Sequence, residues 1–242
     1  MGRYYFINEN LPEDMVSALS EYGCCVRLPA FPKLSEPVLR HPDMLIAEVG
    51  GCLIVHRHYI EGRKILEALG VPHLLSEEEP GLEYPRDIAL NCFSAGGFFF
   101  ANQKYVSRTA LHAAKKAGVV PVHVKQGYAK CACVVAHGAV ATADSGICAA
   151  ALRCGLPALK LNPGGIGIRR YDTGFLGGAC GLVDRDTLGF FGNVEEYGQY
   201  AALHAFFEPL GVRLMILEKR ITAPSRRFPI RRRSLYRLSY IL

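Results

Sequence analysis

The chain has no apolar run approaching the roughly 20 residues of a membrane span. Its first ten residues, Met-Gly-Arg-Tyr-Tyr-Phe-Ile-Asn-Glu-Asn, lack the long apolar stretch of a signal peptide. A cytoplasmic protein with no membrane partner is therefore expected. There is also no Cys-x-x-Cys pair. The nine cysteines are an odd set, and Cys52, Cys92, Cys131, Cys133 and Cys148 occupy places where small core residues would sit. Cys131-x-Cys133 puts two thiols on one strand face, but no second pair completes a zinc site. Reduced core thiols are expected, and no metal or other cofactor is implied. Acidic residues are absent from Lys219 to Leu242, a stretch that holds eight Lys or Arg. Subtracting those eight from the net charge of +6 leaves the remaining 218 residues near −2. The basicity belongs to a tail, Arg226-Arg227 and Arg231-Arg232-Arg233. Nucleic acid is not expected as a partner except through that tail.

What is present is repetition. Five times a helix-like stretch ends at a glycine that leads into a short apolar run: Gly23, Gly70, Gly118, Gly155 and Gly211, at steps of 47, 48, 37 and 56 residues. Glycine just past a helix is the commonest left-handed cap. A recurrence of this length means one supersecondary unit used repeatedly. In the third unit, 88–94 reads as a strand, 95–97 as a turn and Phe98-Phe-Phe-Ala101 as a second strand. Ser107 caps a helix to Ala117, and 119–124 is a third strand. The second unit follows the same order, with strands 44–47 and 52–55, turn 48–51 and helix 61–69. So does the fourth, with strands 131–135 and 139–142 and a helix capped at Asp144 or Ser145. So does the fifth, where 174–183 pairs with 188–192 and helix 194–207 follows. The first unit shows a single leading strand, 4–7, before helix 13–22, and 226–231 could supply the strand it lacks. Such units cannot bury their apolar faces alone, whereas five of them closing a ring can. The expectation is one α/β domain over 1–224, followed by a basic tail over 225–242.

A five-unit ring of this order resembles the pentein fold, the five-bladed α/β propeller of the guanidine-modifying enzyme superfamily. The resemblance covers residues 3–218. The phrases Val124-Lys-Gln-Gly-Tyr-Ala-Lys-Cys131 and Tyr171-Asp-Thr-Gly-Phe-Leu-Gly-Gly-Ala-Cys-Gly181 are similar to an uncharacterised bacterial family of that fold. The resemblance implies a nucleophilic cysteine after a glycine-rich strand in the fifth repeat, a position that Gly177-Gly178-Ala179-Cys180 matches. It also implies a His-x-Asp or His-x-Glu pair in the middle repeats and carboxylates that grip a guanidinium. The chain's one His-x-Asp, His41-Pro42-Asp43, reads as a loop ahead of the second unit.

The remaining polar candidates keep two readings each. Cys180 is a nucleophile or a small packed residue. His137 is an acid/base group if its turn faces the channel, and otherwise a solvated turn residue. Asp172 is a turn residue or a cation ligand, and Asp144 a helix cap or a substrate contact. Glu48 and Asn91 are candidate substrate contacts, with Glu48 in a hairpin turn. Lys130, with Lys125, forms an anion site if both point inward. Asn162-Pro-Gly-Gly-Ile-Gly167 has no following helix and reads as an irregular connection rather than a phosphate loop. Two functions follow. One is a cysteine-dependent hydrolase or transferase acting on a guanidino or amidino compound, with Cys180, His137 and Asp172 in catalysis and Glu48, Asp144, Asn91 and Lys130 in binding. The other is a non-catalytic module that binds a partner or small ligand, associated with the ribosome or nucleic acid.

Overall fold

The computed structural model of the chain describes residues 3–36, 38–164, 174–217 and 238–241. Its elements run β1 (Tyr4–Asn8), α1 (Glu13–Ser20), β2 (Cys24–Leu28), α2 (Pro42–Leu45), β3 (Ile46–Val49), β4 (Cys52–His56), α3 (Ile60–Ala68), β5 (His73–Ser76), β6 (Phe93–Ala95), β7 (Phe98–Ala101), α4 (Arg108–Lys116) and β8 (Val120–His123). They continue with β9 (Cys133–Ala136), β10 (Ala139–Thr142), α5 (Ser145–Arg153), β11 (Ala158–Lys160), a 3-10 turn (Leu176–Ala179), β12 (Cys180–Leu182), β13 (Thr187–Phe190), α6 (Tyr200–Phe207), β14 (Arg213–Ile216) and β15 (Leu238–Ile241). No helix among the described residues is long and apolar enough to cross a membrane.

Five three-stranded sheets result, all built alike. An inner strand pairs antiparallel with a middle strand, and a helix then returns the chain to a parallel outer strand. In the second unit Ile46 faces Val55 across the hairpin, and Leu53 faces His73 across the parallel pair. The hairpins turn on Gly50-Gly51, Gly96-Gly97 and His137-Gly138, all with positive φ. Two consecutive positive φ values define the turn whose twist matches a tight hairpin, which is why glycine recurs there. Gly70, Gly118, Gly155 and Gly211 are left-handed as expected, whereas Gly23 is not. Gly23 is required for space instead, because a Cβ there would lie 2.6 Å from the Arg3 carbonyl oxygen.

The hydrophobic core is divided into five clusters, one between each pair of neighbouring units. Phe6, Leu28 and Val55 join the first unit to the second, and Ile54 and Phe99 join the second to the third. Phe100 and Val140 join the third to the fourth, and Val134 and Phe190 the fourth to the fifth. Tyr5, Ile7 and Met15 pack on Val183, Phe191 and Leu217, so the fifth unit returns to the first. The Tyr5 hydroxyl and the Arg3 guanidinium both donate to the Val183 carbonyl across that last joint, at 2.5 and 2.6 Å. The ring is closed, and the architecture is the five-bladed α/β propeller.

The first unit takes its inner strand from the far end of the chain. β15 pairs antiparallel with β1, Tyr5 facing Ile241 and Ile7 facing Leu238. The sequence reading assigned this role to 226–231, which lies outside the described residues, and set 225–242 apart as a tail. Leu238–Ile241 instead belongs to the first sheet, because β1 would otherwise present an unpaired inner edge to the ring. A chain ending at residue 237 should melt lower, on the order of 10 °C, given about 1 kcal/mol per lost ladder hydrogen bond and 2–4 °C per kcal/mol at this size. An unchanged melting temperature would show that the β1–β15 pairing carries no stability.

Candidate functional site at the ring axis

The inner strands β3, β6, β9 and β12 are each preceded by a tight turn, and these four lead-in turns meet one another across the unit boundaries. Before β3, Pro42 opens the single turn of α2, where proline fits because the first helical N–H needs no partner. Before β6, the Asn91 amide bonds back to the Ile88 carbonyl, and before β9 the Ala132 amide bonds to Tyr128. Before β12, Gly178 N–H donates both to Phe175 and, across the unit boundary, to the Cys131 carbonyl. Residues 88–92 and 131–132 are therefore turns, and the strands expected there start later, at Phe93 and Cys133. The apolar character of those residues comes from burial at the axis, not from a strand.

Asn91 ties three of these turns together and is 1% exposed. Its Oδ1 accepts from the backbone N–H groups of Lys130 and Cys131, at 2.9 and 3.2 Å. Its Nδ2 donates to Cys131 Sγ at 2.9 Å, to the Asp43 carbonyl at 3.2 Å and toward Met44 Sδ at 3.1 Å. Cys131 Sγ in turn donates to Asp43 Oδ2 at 2.7 Å. Asp43 is fully buried, and its other oxygen, Oδ1, has no hydrogen-bond partner. A buried carboxylate oxygen without a donor is costly and calls for a cation or a donor from outside the chain. His56 supports this carboxylate indirectly, its Nε2–H donating to the Met44 carbonyl at 3.2 Å. Burial lowers the His56 pKa to about 4, so the ring is neutral at physiological pH.

On the fifth-unit side, the Gly177 carbonyl accepts from Lys130 Nζ at 3.2 Å and from Cys180 Sγ at 3.9 Å. Burial pushes the Cys180 thiol up to about 12, only partly offset by the Lys130 charge. Cys180 is 1% exposed. A cavity of about 130 Å³ adjoins the axis, walled by Ala132, Phe175 and Leu176, with Gln126, Asp144 and Tyr197 offering polar atoms.

The sequence-derived candidates divide accordingly. Asn91 and Lys130 lie at the axis, with Cys180 beside them. Asp144 caps α5, its Oδ1 accepting from the Ile147 amide at 2.8 Å, and also lines the cavity. Glu48 lies within β3 opposite Leu53 rather than in the hairpin turn, which is formed by Gly50 and Gly51 alone. Lys125 is exposed, away from Lys130's inward position. Asp172, Arg169 and Arg170 lie outside the described residues. His137 does not approach Cys180. It sits at the far end of the fourth hairpin, where its ring nitrogens meet the Leu210 and Arg185 carbonyls at 3.0 Å each and Asp186 Oδ1 at 3.0 Å.

Those contacts make His137 a clasp between the fourth and fifth units. Both ring nitrogens face acceptors, so only the imidazolium satisfies all of them. The two carbonyls, and then Asp186, raise its pKa. A group with a raised folded pKa stabilises fully below its unfolded value of about 6.5 and loses that contribution as pH rises through the folded value. The stability difference between wild type and His137→Asn should therefore shrink as pH rises above about 6.5, measured by thermal unfolding across pH 5–9. A difference constant over that range would rule the clasp out.

The sequence reading missed Asp43 and Cys131. The available signal was positional: Asp43, Asn91 and Cys131 stand two or three residues ahead of β3, β6 and β9, equivalent places in three successive units.

A family model, described as a family of unknown function (DUF6873), matches residues 6–222. The chain belongs to that family. No curated protein matches it in sequence. Among solved structures it is similar to a dimethylarginine dimethylaminohydrolase adduct with 4-chloro-2-hydroxymethylpyridine, with a TM-score of 0.52 and 12% identity over 90% of this chain and 93% of that one. It is also similar to an adduct of the same enzyme, in a histidine-to-glycine form, with S-methyl-L-thiocitrulline, with a TM-score of 0.52 and 12% identity over 85% and 79% of the two chains. At that identity the likeness gives the fold, and the fold is the pentein propeller.

Proposed function

We propose that the chain is a cysteine-dependent hydrolase or transferase acting on an amidino or guanidino compound at the ring axis. Cys131 is the nucleophile in this reading, Asp43 the counter-charge and proton relay, and Asn91 the residue that holds the sulfur. The observation that carries it is Asp43, a fully buried carboxylate with one oxygen on a thiol and the other without a partner. An amidinium is a planar cation whose N–H groups match a carboxylate oxygen, and its carbon would then lie beside the sulfur. The cation's charge would lower the thiol pKa. Cys131 passes its proton to Asp43, sulfur bonds to the amidinium carbon, and the departing amine leaves with that proton. Water, or another acceptor nucleophile, then cleaves the carbon–sulfur bond and returns a proton to sulfur. Cys180 has the position that the resemblance implies for a nucleophile, but its sulfur meets the Gly177 carbonyl, whereas that of Cys131 meets a carboxylate and an amide.

The test is release of ammonia or amine from guanidino compounds, with Cys131→Ala and Cys180→Ala as paired variants. Turnover lost in the first and retained in the second is the expected result. Loss in Cys180→Ala alone would overturn the assignment. A second reading, a non-catalytic binding module of the same fold, is supported by the inert burial of the Cys180 thiol. It predicts ligand-induced stabilisation that needs Asp43, with no product in any variant.

A further inference from the structure

A second carboxylate is sunk in the protein without a counter-charge. Asp87 is 2% exposed. Its Oδ2 accepts the Tyr128 hydroxyl at 2.5 Å, and its Oδ1 has no hydrogen-bond partner. Among the described residues no Lys, Arg or His forms an ion pair with it. Burial raises its pKa, as expected for a carboxylate removed from water without a cation. Aromatic rings stand around this pair. Tyr128 lies 5.9 Å from Tyr84 and 6.2 Å from Phe175, centroid to centroid, tilted by 42° and 38°. The Tyr84 ring is the outer wall. It is 52% exposed and lies over Gly127, where a Cβ would come within 2.5 Å of it.

A carboxylate supplies charge, and ring faces attract cations that carry apolar substituents. A hard metal ion would need six or more oxygen ligands, which one carboxylate and one phenol do not provide. We propose that Asp87, Tyr128, Tyr84 and Phe175 form a binding site for a small organic ammonium ion, entered by outward rotation of the half-exposed Tyr84 ring. The site is distinct from the axial thiol but built on the same two turns. Asp87 stands four residues before Asn91, and Tyr128 three before Cys131. The inference does not rest on the enzymatic reading.

Thermal unfolding of the full chain in tetramethylammonium chloride, against potassium chloride at equal concentration, tests it. Wild type should gain melting temperature with the organic cation beyond the potassium control. Asp87→Asn should melt higher than wild type without ligand, because a buried unpaired charge is gone, and its dissociation constant for tetramethylammonium should rise at least tenfold. Tyr84→Ala removes a half-exposed ring and should fold, so it decides the matter if the Asp87→Asn chain does not fold. Its affinity should fall severalfold. Asp43→Asn should keep the full response. The proposal is overturned if tetramethylammonium does no more than potassium, or if its effect persists undiminished in Asp87→Asn and Tyr84→Ala. Loss of the response in Asp43→Asn alone would put the cation at the axis and equally overturn it.

Discussion

Replacing Gly177 by alanine should destabilise the protein more than any other single-methyl addition argued from this fold. A Cβ at Gly177 would stand 2.0 Å from the Cys133 carbonyl oxygen, 2.4 Å from its carbon and 2.6 Å from its amide nitrogen. All three are backbone atoms, so no side-chain rotation relieves the clash. The inner strands of the fourth and fifth units would have to separate, and that would pull the Gly177 carbonyl from Lys130. Overpacking of this kind reaches the upper end of its usual range, about 3 kcal/mol or more, so a melting temperature lower on the order of 10 °C is expected. Gly198→Ala is the control, because nothing lies within 4 Å of the added methyl. Its effect should stay within about 0.5 kcal/mol. A Gly177→Ala chain that melts with wild type would mean that the fourth and fifth units are not packed as described.

Asn91→Ala should be comparably severe for a different reason. The amide of Asn91 serves the turns of the second, third and fourth units together. Its loss strips acceptors from the Lys130 and Cys131 backbone N–H groups and donors from the Asp43 carbonyl and the Cys131 sulfur. Each orphaned buried group costs about 1–3 kcal/mol, and partial relaxation brings the expected sum to about 4 kcal/mol. Asn91→Asp is the informative companion. It keeps the acceptor but cannot donate, and it brings a second carboxylate beside Asp43. It should therefore rescue little of the loss. Denaturant unfolding of both variants gives the comparison, and an Asn91→Asp chain as stable as wild type would show that the donated bonds are unimportant.

The repeating architecture was legible because its signals are local. Glycine pairs specify tight hairpins, and Ser107 and Asp144 cap their helices through their own side chains. The site was only half legible. Cys180 was picked out through the resemblance, Lys130 with Lys125 as an anion site and Asn91 as a substrate contact, but their grouping follows from ring closure, which no local pattern encodes. Cys131 looked like a core residue and is indeed buried, yet its neighbours are a carboxylate and an amide. Asp43 was assigned to a loop ahead of the second unit because the turn before an inner strand reads as irregular chain. In this closed ring the turns before β3, β6, β9 and β12 are where neighbouring units touch. His137 misled in the opposite direction, since a histidine in a hairpin turn can reach the axis only if the hairpin points inward, and this one points to the rim.

The pairing of Tyr5 with Ile241 also governs when the protein can finish folding. β1 is synthesised long before its inner partner, with the second to fifth units between them. Units two to four bury apolar surface against one another as they are made, but the first unit waits for β15 with one sheet edge open. The nascent chain is then a curved, unfinished arc exposing a strand able to pair with any other. A chain stalled at residue 217 should be cut by protease near β1 while its second to fourth units resist, and it should draw chaperones that recognise open strand edges. Equal resistance throughout the stalled chain would show that the first unit is secured without its late-arriving strand.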